Sequence, residues 1–151
     1  VKSYADVTPA LVERARAAAA ASGVGIAVDG TYVELSYADE DKRHAEVAKV
    51  LSQIPVARAL GAGCMGSETT NMAKQPGVTR KEAQEALLRS LGEILPACEE
   101  QGVLFAVECV YYHAMDGAGH NGTLKPARHL RFCQLCGPGG CVCGCTAPHL
   151  G

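Results

Sequence analysis

The chain has 151 residues, 14 Lys and Arg against 16 Asp and Glu, a formal net charge of -2 and eight cysteines. That length suits one domain with a core of its own. The balanced charge, with no basic patch interleaved with aromatics, points away from nucleic acid, and no apolar run approaches the roughly 20 residues of a membrane-spanning helix.

Taken in chain order, the stretch "VKSYADVTPALVERARAAAAASG" lacks the charged end, apolar block and cleavage site of a signal peptide. A cytoplasmic location is the default expectation. Thr8 to Ser22 reads as a helix, with Thr8 as N-cap and Pro9 at the first position. "VGIAVDG" is an apolar, β-branched run and reads as a buried strand. "TYVELS" is either an extension of that strand or a loop, with Tyr32 as a packing residue. Asp39 to Leu60 reads as the second helix, its acidic first turn suiting the positive end of the helix dipole. Pro55 inside it predicts a kink or break.

"AGCMGSE" is the second strand and "TTNMAKQPGV" a loop. Thr79 and Glu82 form a capping box that opens a third helix, striped by Ala83, Leu87, Leu88, Leu91, Ile94 and Leu95. "VLFAVE" is the third strand, apolar enough to be buried on both faces. Helices alternating with strands give an α/β fold with a parallel sheet and right-handed crossovers. Either an open doubly wound sheet or part of a (β/α)8 barrel satisfies this order. No G-x-G-x-x-G follows a strand, which disfavours a dinucleotide site. A full barrel needs about 250 residues, so the chain supplies at most half of one.

Parallel α/β folds place their sites at the carboxyl ends of the strands. The strands here end at Asp29-Gly30-Thr31-Tyr32, at Ser67-Glu68-Thr69 and at Glu108. A carboxylate closing an apolar strand is costly to bury unless it meets a metal, a cation or donors. Otherwise Glu68 and Glu108 are solvated caps of their strands. His113, five residues on, is either a ligand-binding or proton-carrying side chain or a plain loop histidine. Asp116 reads as a turn residue before Gly117.

After Asp116 there is no acidic residue, and eight glycines and five cysteines fall between 117 and 151. The chain therefore divides into an α/β part, 1–116, and a Cys/Gly-rich tail, 117–151. The tail is expected to be irregular and is read as out-of-frame or otherwise foreign sequence. Cys133-x-x-Cys136 has the spacing of a zinc knuckle, but Cys141, Cys143 and Cys145 stand at alternate positions and do not complete one.

Several stretches resemble one family. Ala38 to Arg43, "ARALGA" from Ala57 to Ala62, "GSET" from Gly66 to Thr69 and "EEQGVLFAVECVYYH" are similar to sugar phosphate isomerase/epimerase proteins with a xylose isomerase-like TIM barrel. The resemblance covers roughly Thr8 to Asp116. It implies an α/β fold, a partial (β/α)8 barrel of about three parallel βα units, and a divalent metal (Zn, Mn, Mg or Co) at the carboxyl end. The family's ligands are Glu, Asp, His and Glu on four successive strands. Glu108 matches the first of these, as metal ligand and catalytic carboxylate. Glu68 and His113 match substrate-binding positions.

The implied chemistry is aldose–ketose isomerisation or epimerisation of a sugar or sugar phosphate, by proton transfer next to a carbonyl. Cys109 departs from the usual proline, and three of the four ligands have no counterpart. The expectation is thus a fragment inactive alone, which binds no barrel metal by itself and self-associates through open strand edges. The alternative is a small α/β binding protein with a zinc-binding cysteine tail.

Overall fold

The computed structural model describes residues 3–108, 131–132 and 142–145. Three helices and three strands alternate through the first part: α1 (Pro9–Ser22), β1 (Val28–Gly30), α2 (Glu40–Leu60), β2 (Cys64–Glu68), α3 (Arg80–Gln101) and β3 (Leu104–Glu108). Two short strands follow, β4 (Arg131–Phe132) and β5 (Val142–Cys145). Short 3-10 turns cover Tyr4–Asp6 and Met72–Lys74.

The helix starts follow the local chemistry. Thr8 Oγ1 accepts the Leu11 N–H, Asp39 caps α2 through the Lys42 N–H, and Thr79 and Glu82 form the expected reciprocal box. Gly23, Gly61 and Gly102 end the three helices in the left-handed conformation that glycine adopts without a Cβ penalty. α2 runs unbroken through Pro55, and α3 through Pro96. Both prolines lie on the exposed side of their helix. There a lost backbone hydrogen bond leaves its carbonyl to water, so the expected break does not occur.

β1, β2 and β3 are parallel neighbours, with Val28, Cys64 and Leu104 aligned at one end and Glu68 opposite Glu108 at the other. The sheet order is β1-β2-β3-β5-β4, with β5 antiparallel to β3 and β4 antiparallel to β5. β1 is shorter than the apolar run that suggested it. Residues 31–34 lie outside the sheet, which makes "TYVELS" a loop.

One face of the sheet packs on α2 and α3. Met65, Phe105 and Val107 meet Val47, Val50, Ile54, Leu87, Leu91, Ile94 and Leu95 in a single core, extended by Val33 and Leu35 from the loop. β3 is not buried on both sides: Phe105 and Val107 are buried, Leu104 and Ala106 half-buried, and Glu108 exposed. α1 contributes no buried residue. No helix among the described residues is long and apolar enough to cross a membrane.

Candidate functional site at the carboxyl ends of the strands

Side chains alternate across a strand, so register decides which residues share a face. Met65 and Ser67 face the helices, as do Phe105 and Val107. The opposite face therefore carries Gly30 of β1, Gly66 and Glu68 of β2, and Ala106 and Glu108 of β3. Glu68 is half-buried and Glu108 exposed. Parallel neighbours lie about 4.8 Å apart, so these two carboxylates end adjacent strands side by side on one face.

Asp29 is not part of this pair. It aligns with Met65, on the helix side. Its Oδ2 atom is buried without a hydrogen-bond partner, and burial pushes its carboxyl above the ordinary range.

The loop after β1 is tied to the loop after β2. The Thr31 N–H and hydroxyl both donate to the Gly66 carbonyl, at 2.7 and 3.3 Å. The Ser36 N–H donates to Thr70 Oγ1 at 2.9 Å. The Gln75 amide spans the loop, donating to the Ser36 carbonyl at 3.0 Å and accepting from the Ala38 N–H at 3.2 Å. Ser90 on α3 donates to the Leu35 carbonyl at 2.7 Å. Thr31, Ser36, Thr69, Thr70, Gln75 and Ser90 are all buried. A buried polar layer of this kind holds its hydrogen bonds in low dielectric and fixes the loops it joins. It joins the segments that follow β1 and β2, next to the strand end that bears Glu68.

Below it, Arg43 is buried to 3% side-chain exposure between α2 and α3. It donates to Glu40 and Glu93 at 2.7 Å each, while Arg89 also reaches Glu40 at 2.8 Å. These guanidinium groups hold the Glu40 carboxyl down at about 2.

Of the expected site residues, Glu68 and Glu108 stand together. His113 lies outside the described residues, as do Asp116 and Cys133, Cys136 and Cys141. Among the described residues, no three His, Cys, Asp or Glu side chains are grouped to hold a metal ion.

A sheet of parallel βα units with its polar apparatus at the carboxyl ends is the architecture of a (β/α)8 barrel portion. The family model described as the xylose isomerase-like TIM barrel matches residues 2–138, and the chain belongs to that family. Among solved structures it is similar to a D-tagatose 3-epimerase-like protein, at 16% identity and TM-score 0.60 over 68% of this chain and 39% of that one. A 3-keto-D-glucoside 4-epimerase from E. coli aligns at 11% identity and TM-score 0.58, over 68% of this chain and 42% of that one. An IOLI protein with a bound zinc atom aligns at 12% identity and TM-score 0.59, over 69% of this chain and 37% of that one. The chain therefore spans about two fifths of the length of these neighbours. No curated protein matches it.

Proposed function

We propose that this chain forms the carboxylate-bearing part of a sugar isomerase or epimerase site. The observation that supports this best is the placement of Glu68 across from Glu108, at the carboxyl ends of adjacent parallel strands and away from the helix layer. Sugars and sugar phosphates present hydroxyl donors that paired carboxylate oxygens accept. In aldose–ketose isomerisation or epimerisation a carboxylate takes the proton from the carbon next to a carbonyl. In isomerisation it returns the proton to the neighbouring carbon as a hydroxyl proton passes to the carbonyl oxygen; in epimerisation a second acid delivers a proton to the other face of the same carbon. Glu108 is the carboxylate we assign to that role, with Glu68 and His113 as substrate-binding side chains.

In this reading Glu108 is also one ligand of a divalent cation whose other family ligands have no counterpart among the described residues. The chain alone is inactive, because two carboxylates do not complete such a centre. The outer edge of β1 carries no partner strand among the described residues, and Val24 and Val28 beside it are 65% and 54% exposed. Self-association through that edge belongs to the same reading.

Ligand-observed NMR with D-fructose and D-xylose tests the assignment. Saturation transfer to the sugar is expected with the unmodified chain, and it should fall at least fivefold in Glu108→Gln and in Glu68→Gln. Equal transfer in all three proteins would remove the carboxylate pair from the site.

A further inference from the structure

Tyr32 follows β1 by two residues, flanked by Thr31 and Val33, which are 1% and 4% exposed. Tyr32 itself is 72% exposed, the highest value among the exposed large apolar side chains of the described residues. It does not extend outward from the surface. A Cβ built on Gly30 would lie 3.0 Å from Tyr32 Cε2, 3.4 Å from Cζ and 3.5 Å from the hydroxyl oxygen. The ring is therefore folded back over Gly30. A Cβ on the neighbouring Gly66 would touch Val28 Cγ1 at 3.3 Å, which places Val28, Gly66 and Gly30 on one face.

That is the face of Glu68 and Glu108. Gly30 aligns with Gly66, and Gly66 with Ala106. The two carboxylates stand two residues further along β2 and β3, roughly 7 Å on at the strand rise. Gly30, Gly66 and Ala106 make a floor of minimal side chains. The Tyr32 ring rises at one side of it and the carboxylates at its end.

The ring is held there by its backbone. Thr31 is bonded twice to the Gly66 carbonyl, which fixes the backbone one residue before the ring. An aromatic side chain kept in water by buried neighbours on both sides gains nothing for the fold from its own burial.

We infer that Tyr32 is the stacking wall of the sugar subsite beside Glu68 and Glu108, with Gly30 kept small to seat the ring. The inference rests on the sugar-site reading given above. A pyranose or furanose has a C–H face that packs flat on an aromatic ring, while its hydroxyl edges reach carboxylates. A polar group at the end of an apolar wall is the usual composition of a small-molecule site. The ligand class is a neutral or phosphorylated monosaccharide with an exposed C–H face.

The test is the same saturation-transfer titration with D-fructose and D-xylose, run on Tyr32→Ala, Tyr32→Phe and Gly30→Ala. Tyr32→Ala should weaken binding about fivefold, the scale of one aromatic contact, and Tyr32→Phe should restore it. Gly30→Ala displaces the ring and should weaken binding as Tyr32→Ala does, although Tyr32 is intact. Thermal unfolding of all three should match the unmodified chain, since the ring is exposed. If the unmodified chain binds sugar and Tyr32→Ala binds equally well, the stacking wall is wrong while the carboxylate site stands. If Tyr32→Phe loses as much as Tyr32→Ala, the hydroxyl acts and the ring does not, which also overturns it. If the unmodified chain binds neither sugar, the sugar-site reading itself fails and takes this inference with it.

Discussion

Arg43 Nη1 lies 2.7 Å from Glu93 Oε1, joining α2 to α3 across 50 residues of sequence. The guanidinium is almost wholly buried, while Glu40 and Glu93 remain 47% and 41% exposed. The two halves of the interaction are therefore unequal. Glu40→Gln/Glu93→Gln leaves a buried cation without a counter-charge and should destabilise the chain in chemical denaturation. Arg43→Met removes the buried charge itself and should cost less than the double change.

Acid should act on the same cluster. The Glu40 carboxyl is held at about 2, below its ordinary value of 4.5, by hydrogen bonds from Arg43 and Arg89. A depressed carboxyl contributes stability that is fully present above the unfolded value and is lost as pH falls through the folded one. The contribution should thus fade between pH 4.5 and about 2. Unfolding curves across that window should be less pH-dependent in Glu40→Gln than in the unmodified chain.

Asp29 runs the other way. Its carboxyl is raised by burial on the helix side of the sheet, with Oδ2 unpartnered. A raised carboxyl costs the fold once it ionises, so stability is greater below the unfolded value and falls as pH rises through the folded one. Asp29→Asn should stabilise the chain at pH 7. The gain should vanish below the ordinary aspartate range near 3.8. Paired melts at pH 7 and pH 3 measure both.

Gln75 secures the loop after β1 by bonding Ser36 and Ala38 at once. Gln75→Ala strands a buried carbonyl and loosens an amide, at a cost of about 2 kcal/mol. Hydrogen exchange at the Ala38 amide should quicken in Gln75→Ala, with the α1 amides unaffected.

Pro55 sits on the solvent side of an unbroken α2. Pro55→Ala restores a backbone donor and should stabilise the chain by about 2 kcal/mol in chemical denaturation. A loss of stability would mean that the proline shapes the helix around the core.

Local signals carried most of the element boundaries. The Thr79–Glu82 box and the glycine stops at 23, 61 and 102 mark the helices because the chemistry is contained within a few residues. The α/β alternation and the family resemblance gave the fold. Arg43 was hidden in the charged run "EDKRH", since its partners Ser90 and Glu93 lie on another helix. Its position four residues before Val47 on the apolar stripe of α2 was the available sign that it points inward. Tyr32, a packing residue by sequence, is exposed. Its exposure depends on alternation through a segment that leaves the sheet, which only the register with Gly66 reveals. The adjacency of Glu68 and Glu108 likewise requires strand order, which no single stretch of sequence encodes.

The most direct measurement is Mn²⁺ titration followed by electron paramagnetic resonance, on the unmodified chain, Glu108→Gln and a thiol-alkylated sample. Mn²⁺ prefers carboxylate oxygen, whereas Zn²⁺ prefers thiolates. This account predicts binding too weak to keep Mn²⁺ through desalting, unaffected by alkylation and lost in Glu108→Gln. Mn²⁺ binding indifferent to Glu108, or metal uptake confined to Zn²⁺ and abolished by alkylation, would contradict it and favour a thiolate zinc site.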